Sequence, residues 1–188
     1  MVTIITTHLR KEKRGKTLIK RFLPLMFLVS LASFAQRSQD LAYQLRLIQV
    51  LLPEATRLGF IYNPEDTSAE LDLNAAVNQT GLRVFKYPIS SVRDLTKCVR
   101  TLMNRYEVDF IYVFDDSLLS SQNALKIMVK QTQRKGIPVF TLSQNILGAG
   151  GYAQLFNDNG QWRMRIVSQT SGNYSISVPP NDDRFIIQ

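Results

Sequence analysis

Histidine and cysteine are almost absent from this sequence, and each absence removes a class of chemistry. The only histidine is His8, in a segment read below as an export signal. Without it, the rest of the chain has no ordinary general base, no Ser-His-Asp triad and no usual zinc ligand set. The single cysteine, Cys98, cannot close an intramolecular disulfide, and no histidine stands by to activate its thiol. Leu95, Val99, Leu102 and Tyr106 recur around it at helical spacing, which places Cys98 on a buried face as a small core hydrophobe. The nine glycines form no Gly-x-Gly-x-x-Gly, no P-loop and no Gly-x-Ser-x-Gly. Asp115-Asp116 is the one acidic pair of interest, but adjacent residues at a strand end point in different directions, and no second acidic cluster completes a metal or phosphoryl site. These absences point away from an enzyme, and no metal or cofactor is expected.

What is present begins with an address. Arg10, Lys11, Lys13, Arg14, Lys16, Lys20 and Arg21 form a basic segment offset only by Glu12. An apolar run, Phe22 to Ala35, follows and ends Ser33-Phe34-Ala35, with small residues where a signal peptidase reads. The run is shorter than the about 20 residues a bilayer-crossing helix needs. Residues 1–35 are therefore read as a signal peptide directing the chain to the periplasm, with an uncleaved membrane anchor as the alternative. A lipoprotein is excluded, because the acylated cysteine would stand directly after the apolar run and the one cysteine is Cys98. The charge changes meaning too: +8 overall, less the +6 of residues 1–35, leaves +2. No cluster of Lys and Arg interleaved with aromatics remains in residues 36–188, so nucleic-acid binding is not expected.

Residues 36–188 suffice for one well-buried domain and are too few for two of usual size. A helix from about Gln39 to Leu52 stops at Pro53. Strands are expected at Leu58–Tyr62, Leu82–Ile89, Val108–Phe114 and Ile137–Leu142. Between them lie helices over Thr67–Thr80, with Gly81 at its C′ position, from Ser91-Val-Arg-Asp94 to about Tyr106, and over Ser117–Arg134. Such alternation predicts an α/β fold: a three-layer α/β/α, Rossmann-like lobe with a mainly parallel sheet of four or five strands. The end departs from that rhythm. Gly151–Phe156 and Trp162–Val167 flank Asn157-Asp-Asn-Gly160, which predicts a C-terminal β-hairpin, and the tail from Ser177 ends in a short apolar strand.

Four phrases carry a family resemblance: Leu-Arg-Leu-Ile-Gln-Val-Leu-Leu-Pro (45–53), Arg-Leu-Gly-Phe-Ile-Tyr-Asn-Pro (57–64), Val-Asp-Phe-Ile-Tyr-Val-Phe-Asp-Asp (108–116) and Gly-Ile-Pro-Val-Phe-Thr (136–141). In this order and spacing the chain resembles one lobe of the substrate-binding proteins of ABC transporters, in the subfamily that includes aromatic amino-acid binders. The resemblance implies a helix where the hairpin is predicted. It also implies two lobes joined by a hinge, whereas here the address runs almost directly into the helix before Pro53. The expectation is therefore a single-lobe member, with an open half-site whose second wall comes from a homodimer or another subunit.

Ligands of open parallel sheets bind beyond the carboxyl ends of the strands. The resemblance assigns one wall of the cleft to loops containing Asn63, Asp115, Asp116 and Ser143, with Asn145 and Asn157 added by position. Tyr62 and Phe114 offer an aromatic face. Two acids near a helix start suit a small-molecule ligand bearing an amine, such as an amino acid, better than a phosphate. Each residue also has a purely structural reading: Asn63-Pro64 makes a turn and Asp116 caps a helix. The functional expectation is an exported solute-binding protein working with a membrane permease. The alternative is a periplasmic regulatory module docking on a membrane sensor protein. Gly150-Gly151, the Asn157–Gly160 turn and Arg163-Met-Arg-Ile166 bear a looser resemblance to small periplasmic regulators of membrane diguanylate cyclases, which supports that alternative.

Overall fold

A computed structural model describes residues 40–167 and 178–188, all within one unit, Ser38–Gln188. The proposed signal, residues 1–35, and the start of the tail at Ser177 lie outside the described residues. Residues 40–51 form helix α1, in which Leu41, Leu45 and Ile48 repeat at three and four positions and are all buried. The parallel strands are β1 (Arg57–Tyr62), β2 (Arg83–Pro88), β3 (Phe110–Val113) and β4 (Val139–Phe140), in the order β2-β1-β3-β4.

Helix α2 (Thr67–Thr80) joins β1 to β2. Asp66 caps it by accepting from the Ser68 backbone N–H, and Gly81 ends it in the left-handed region at φ 69°. A 3₁₀ turn, Val92–Asp94, leads into α3 (Leu95–Asn104) between β2 and β3, with Ser91 Oγ accepting from the Arg93 N–H. Helix α4 (Gln122–Thr132) joins β3 to β4. It starts later than the expected Ser117, because Asp116 first caps a separate turn and Ser121 then caps α4 itself, accepting from the Ala124 N–H.

Side-chain alternation along the strands sorts the core into two layers. Leu58, Phe60 and Tyr62 of β1, Phe110 and Tyr112 of β3, and Phe140 of β4 face α1 and α2. Ile61, Ile111, Val113 and Val139 face α3 and α4, where Cys98 and Leu102 complete the packing. Glycine at position 59 lets α3 come close: a Cβ there would lie 3.1 Å from a Leu102 methyl. The fold is thus the three-layer α/β/α lobe that the alternation predicts.

The remaining strands form a second sheet, ordered β5 (Ala153–Asp158), β6 (Gln161–Ile166) and β7 (Phe185–Ile187). Asn159 and Gly160, at φ 52° and 87°, make the two-residue turn between β5 and β6. The tail strand β7 runs parallel to β6, with Met164 opposite Phe185, so the chain's own hairpin provides its partner. This sheet covers the α1/α2 layer: Leu155, Met164, Ile166 and Phe185 share its core, and Trp162 Nε1 donates to Asp40 Oδ1 at 3.0 Å. Strands therefore occupy the place where the family resemblance implies a helix. A short helix unforeseen in the sequence, α5 (Asn145–Gly148), turns the chain between β4 and β5.

Candidate functional site

The strand order brings the carboxyl ends of β1, β3 and β4 side by side. The loops that leave them are tied to one another by side-chain hydrogen bonds. Asn63, after β1, donates from Nδ2 to Asp116 Oδ2 at 3.1 Å, and its Oδ1 accepts from the Glu65 N–H. Asp116 Oδ1 in turn accepts from the backbone N–H groups of Leu118 (2.7 Å) and Leu119 (3.2 Å). Asn63 Oδ1 and Asp116 Oδ1 thus hold backbone in place, while Asn63 Nδ2 and Asp116 Oδ2 tie the two loops to each other.

Ser120 is the hinge of the second half of this network. Its hydroxyl donates to Asp115 Oδ1 at 2.5 Å. Its carbonyl accepts from Ser143 Oγ at 3.1 Å and from Asn145 Nδ2 at 3.0 Å, both in the loop after β4. Ser143 Oγ also receives the Asn145 N–H. The Ser120 N–H donates to the Asp116 carbonyl at 2.8 Å and joins the two halves, so the five polar residues carried over at these loops, Asn63, Asp115, Asp116, Ser143 and Asn145, meet in one connected cluster. Ser120 was not among the residues singled out in the sequence, and no spacing or motif signal marks it, since its contribution is largely a main-chain oxygen.

The members differ in what they have left to give a ligand. Asp115 is exposed, and one accepted hydroxyl proton leaves most of the acceptor capacity of a carboxylate. Asn145 is exposed as well, while Asn63, Asp116 and Ser143 are half-buried.

The two aromatic residues separate. Phe114 is half-buried at the loop, its ring 5.8 Å from that of Phe60. Tyr62 is buried against α2, where its hydroxyl donates to Glu70 Oε1 at 2.6 Å. Burial, and then the Glu70 carboxylate, push the Tyr62 phenol up to about 12, so it stays protonated as a donor. Glu70 is held below its ordinary value by that bond and by Lys86, 3.4 Å away. Asn157 sits in the hairpin turn, its Oδ1 accepting from the Gly160 N–H at 2.8 Å.

Away from the loops, burial pushes the Cys98 thiol up to about 12 and leaves it a neutral core group at ordinary pH. Among the described residues no His, Cys, Asp or Glu cluster could hold a metal ion, and no helix is long and apolar enough to cross a membrane.

A parallel α/β/α lobe with polar loops gathered at the carboxyl ends of its strands is the architecture of binding-protein lobes, and comparison with known proteins places the chain among them. Residues 36–162 match the family model described as ABC transporter substrate binding protein, and the chain belongs to that family, one of binding proteins rather than of enzymes. Among characterised proteins it is similar to a tyrosine-binding protein of Clostridioides difficile (strain R20291), with 22% identity over 112 residues. That match takes in 58% of this chain and 31% of the relative, so the chain spans about a third of that protein's length.

Two solved structures share the fold. One is an ABC domain from Streptococcus pneumonia in complex with L-Trp: TM-score 0.63, 17% identity, 74% of this chain and 57% of that one. The other is the ligand-free, open structure of a substrate-binding protein with adhesive properties from Clostridium difficile: TM-score 0.60, 15% identity, 77% of this chain and 58% of that one.

Proposed function

We propose that this chain is an exported solute-binding protein that presents the loops after β1, β3 and β4 to a small amine-bearing ligand, an aromatic amino acid in the first instance. The observation that carries the reading is the cluster joining Asn63, Asp115, Asp116, Ser143 and Asn145 through Ser120. Three loops held before a ligand arrives have little ordering entropy left to lose on binding. The exposed Asp115 carboxylate suits an ammonium group, and Phe114 beside it suits an apolar or aromatic side chain. The tyrosine-binding relative and the L-Trp complex support the choice of ligand class.

The remaining parts of the reading are proposals of the same standing. Residues 1–35 are the export signal, residues 36–188 the working domain, and the destination is the periplasm. A second wall for the ligand comes from another copy of the chain or another subunit, and a membrane permease receives the solute. The test is a thermal-shift screen of the purified protein against amino acids, amines, sugars and nucleosides, with its solution mass recorded alongside. A ligand held at about 100 times its Kd adds about 2.7 kcal/mol to the stability of a native state that alone binds it. The reading expects such a shift from an aromatic amino acid, absent in Asp115→Ala. A screen without a shift would reject it.

A further inference from the structure

The modest charge of residues 36–188 conceals an uneven distribution. Over 92–105 and 122–135, which contain α3 and α4, there are eight basic side chains and a single acid, Asp94. All eight are exposed, and none forms an ion pair with a carboxylate among the described residues. Of the seven basic residues elsewhere in the described chain, Arg57, Lys86, Arg163 and Arg184 pair with an acid, and Arg46, Arg83 and Arg165 do not.

The spacing aligns the free cations in two rows. Arg93 in the 3₁₀ turn before α3 is followed by Lys97 and Arg100 on α3 at four and three residues, and Lys126 and Lys130 on α4 by Arg134 in the turn just beyond it, at four and four. Cross-links hold the two helices together: Gln131 Nε2 donates to Thr96 Oγ1 at 3.0 Å and Lys135 Nζ to Asn104 Oδ1 at 2.7 Å. Open grooves of about 540 and 480 Å³ run along this face and share Thr96, Arg100 and Asn104. With α3 about 15 Å long, the result is a broad, positively charged plane two helices wide.

We propose that this α3/α4 face docks the protein electrostatically on an anionic phospholipid surface. The composition of the face selects that occupant. A protein partner is usually anchored by exposed Trp and Tyr together with Arg, and a single-stranded nucleic acid by exposed aromatics interleaved with the cations, whereas the aromatic beside these cations, Tyr106, is half-buried. The exposed large apolar residues of the described chain, Tyr43, Leu71 and Ile187, all lie on other elements. What the face offers is charge spread over a plane, which suits a plane of phosphate groups. None of the eight cations belongs to the strand-end loop cluster, so the proposal does not rest on the solute reading.

The test compares full-length variants for binding to phosphatidylcholine vesicles with and without phosphatidylglycerol, at low and high salt. The readout is the phosphatidylglycerol-dependent, salt-sensitive part of the binding, because the N-terminal segment is common to every variant. Lys97→Glu with Arg100→Glu should lower it at least about tenfold, while the matched reversal Arg46→Glu with Arg163→Glu, on α1 and β6, should leave it within about twofold. Lys97→Gln with Arg100→Gln, which cannot misfold through new acidic contacts, should fall between them. Equal losses in the two reversal pairs would mean that net charge alone is read, and would overturn the proposal. So would binding that ignores phosphatidylglycerol, or face variants that bind like the unaltered protein.

Discussion

Removing the Tyr112 hydroxyl tests directly how α1 is held against the sheet. Tyr112 is 1% exposed at the centre of β3, and its hydroxyl donates to the Oε1 of Gln44, itself 4% exposed on α1. The bond joins elements 68 residues apart and is buried. Tyr112→Phe keeps the ring, its stacking on Phe60 and nearly all of its volume. What it loses is the partner of a buried amide oxygen, a defect that costs about 1–3 kcal/mol. For a protein of this size each kcal/mol moves Tm by roughly 2–4 °C, so a fall of about 2–12 °C is expected.

The double variant Tyr112→Phe with Gln44→Leu leaves no orphaned group and should recover to within about 1 kcal/mol of the unaltered protein, giving a coupling energy of opposite sign to the single losses. Calorimetry on the four proteins of the cycle measures both quantities. An unchanged Tm for Tyr112→Phe, or a double variant as unstable as the sum of the singles, would refute the argument that this bond fastens α1 to the sheet.

Gly151→Ala should destabilise by about 1–3 kcal/mol in thermal or urea melts, because its Cβ would meet Ile146 Cγ1 at 2.4 Å and the Ile146 carbonyl oxygen at 2.8 Å, and a main-chain oxygen cannot withdraw. Asp116→Ala should cost about 1–2 kcal/mol through the lost caps on Leu118 and Leu119, whereas the exposed Asp115→Ala should change stability by less than about 0.5 kcal/mol. Tyr62 contributes to pH dependence. With its folded value raised from 10.0 to about 12, its contribution is complete below pH 10 and is lost as pH rises through that window. Tyr62→Phe should therefore flatten the decline of stability between pH 10 and 12 relative to the unaltered protein.

The parts of the fold written in local chemistry were legible from the sequence. Helix α2 was read to its ends because Gly81 marks one of them and Asn63-Pro64 closes the strand before the other, although its apolar residues share no single face: Leu73 and Ala76 are buried and Leu71 is exposed. The run Val108–Phe114, apolar but for Asp109, announced a strand covered on both faces. What depends on neighbours was not legible. Only Val139 and Phe140 of the expected Ile137–Leu142 pair as a strand, since just two residues meet β3, at Ile111 and Tyr112. The start of α4 moved to Gln122 because Asp116 and Ser121 both qualify as caps and tertiary context chose the second.

The loop residues could be named from the resemblance, but their union through the Ser120 carbonyl could not, because a main-chain acceptor has no sequence signature. Nor was the basic face visible in the sequence. Its two rows lie on separate helices about 30 residues apart, and a net charge sums over them without regard to position.

The measurement that tests the central claim most directly is a titration of the isotope-labelled protein with L-tyrosine and L-tryptophan, followed through backbone amide resonances. The account predicts saturable shifts concentrated at residues 63–65, 114–120 and 141–145, and their loss in Asp115→Ala. Amides that do not move at any soluble concentration, or that move only on the α3/α4 face, would contradict it.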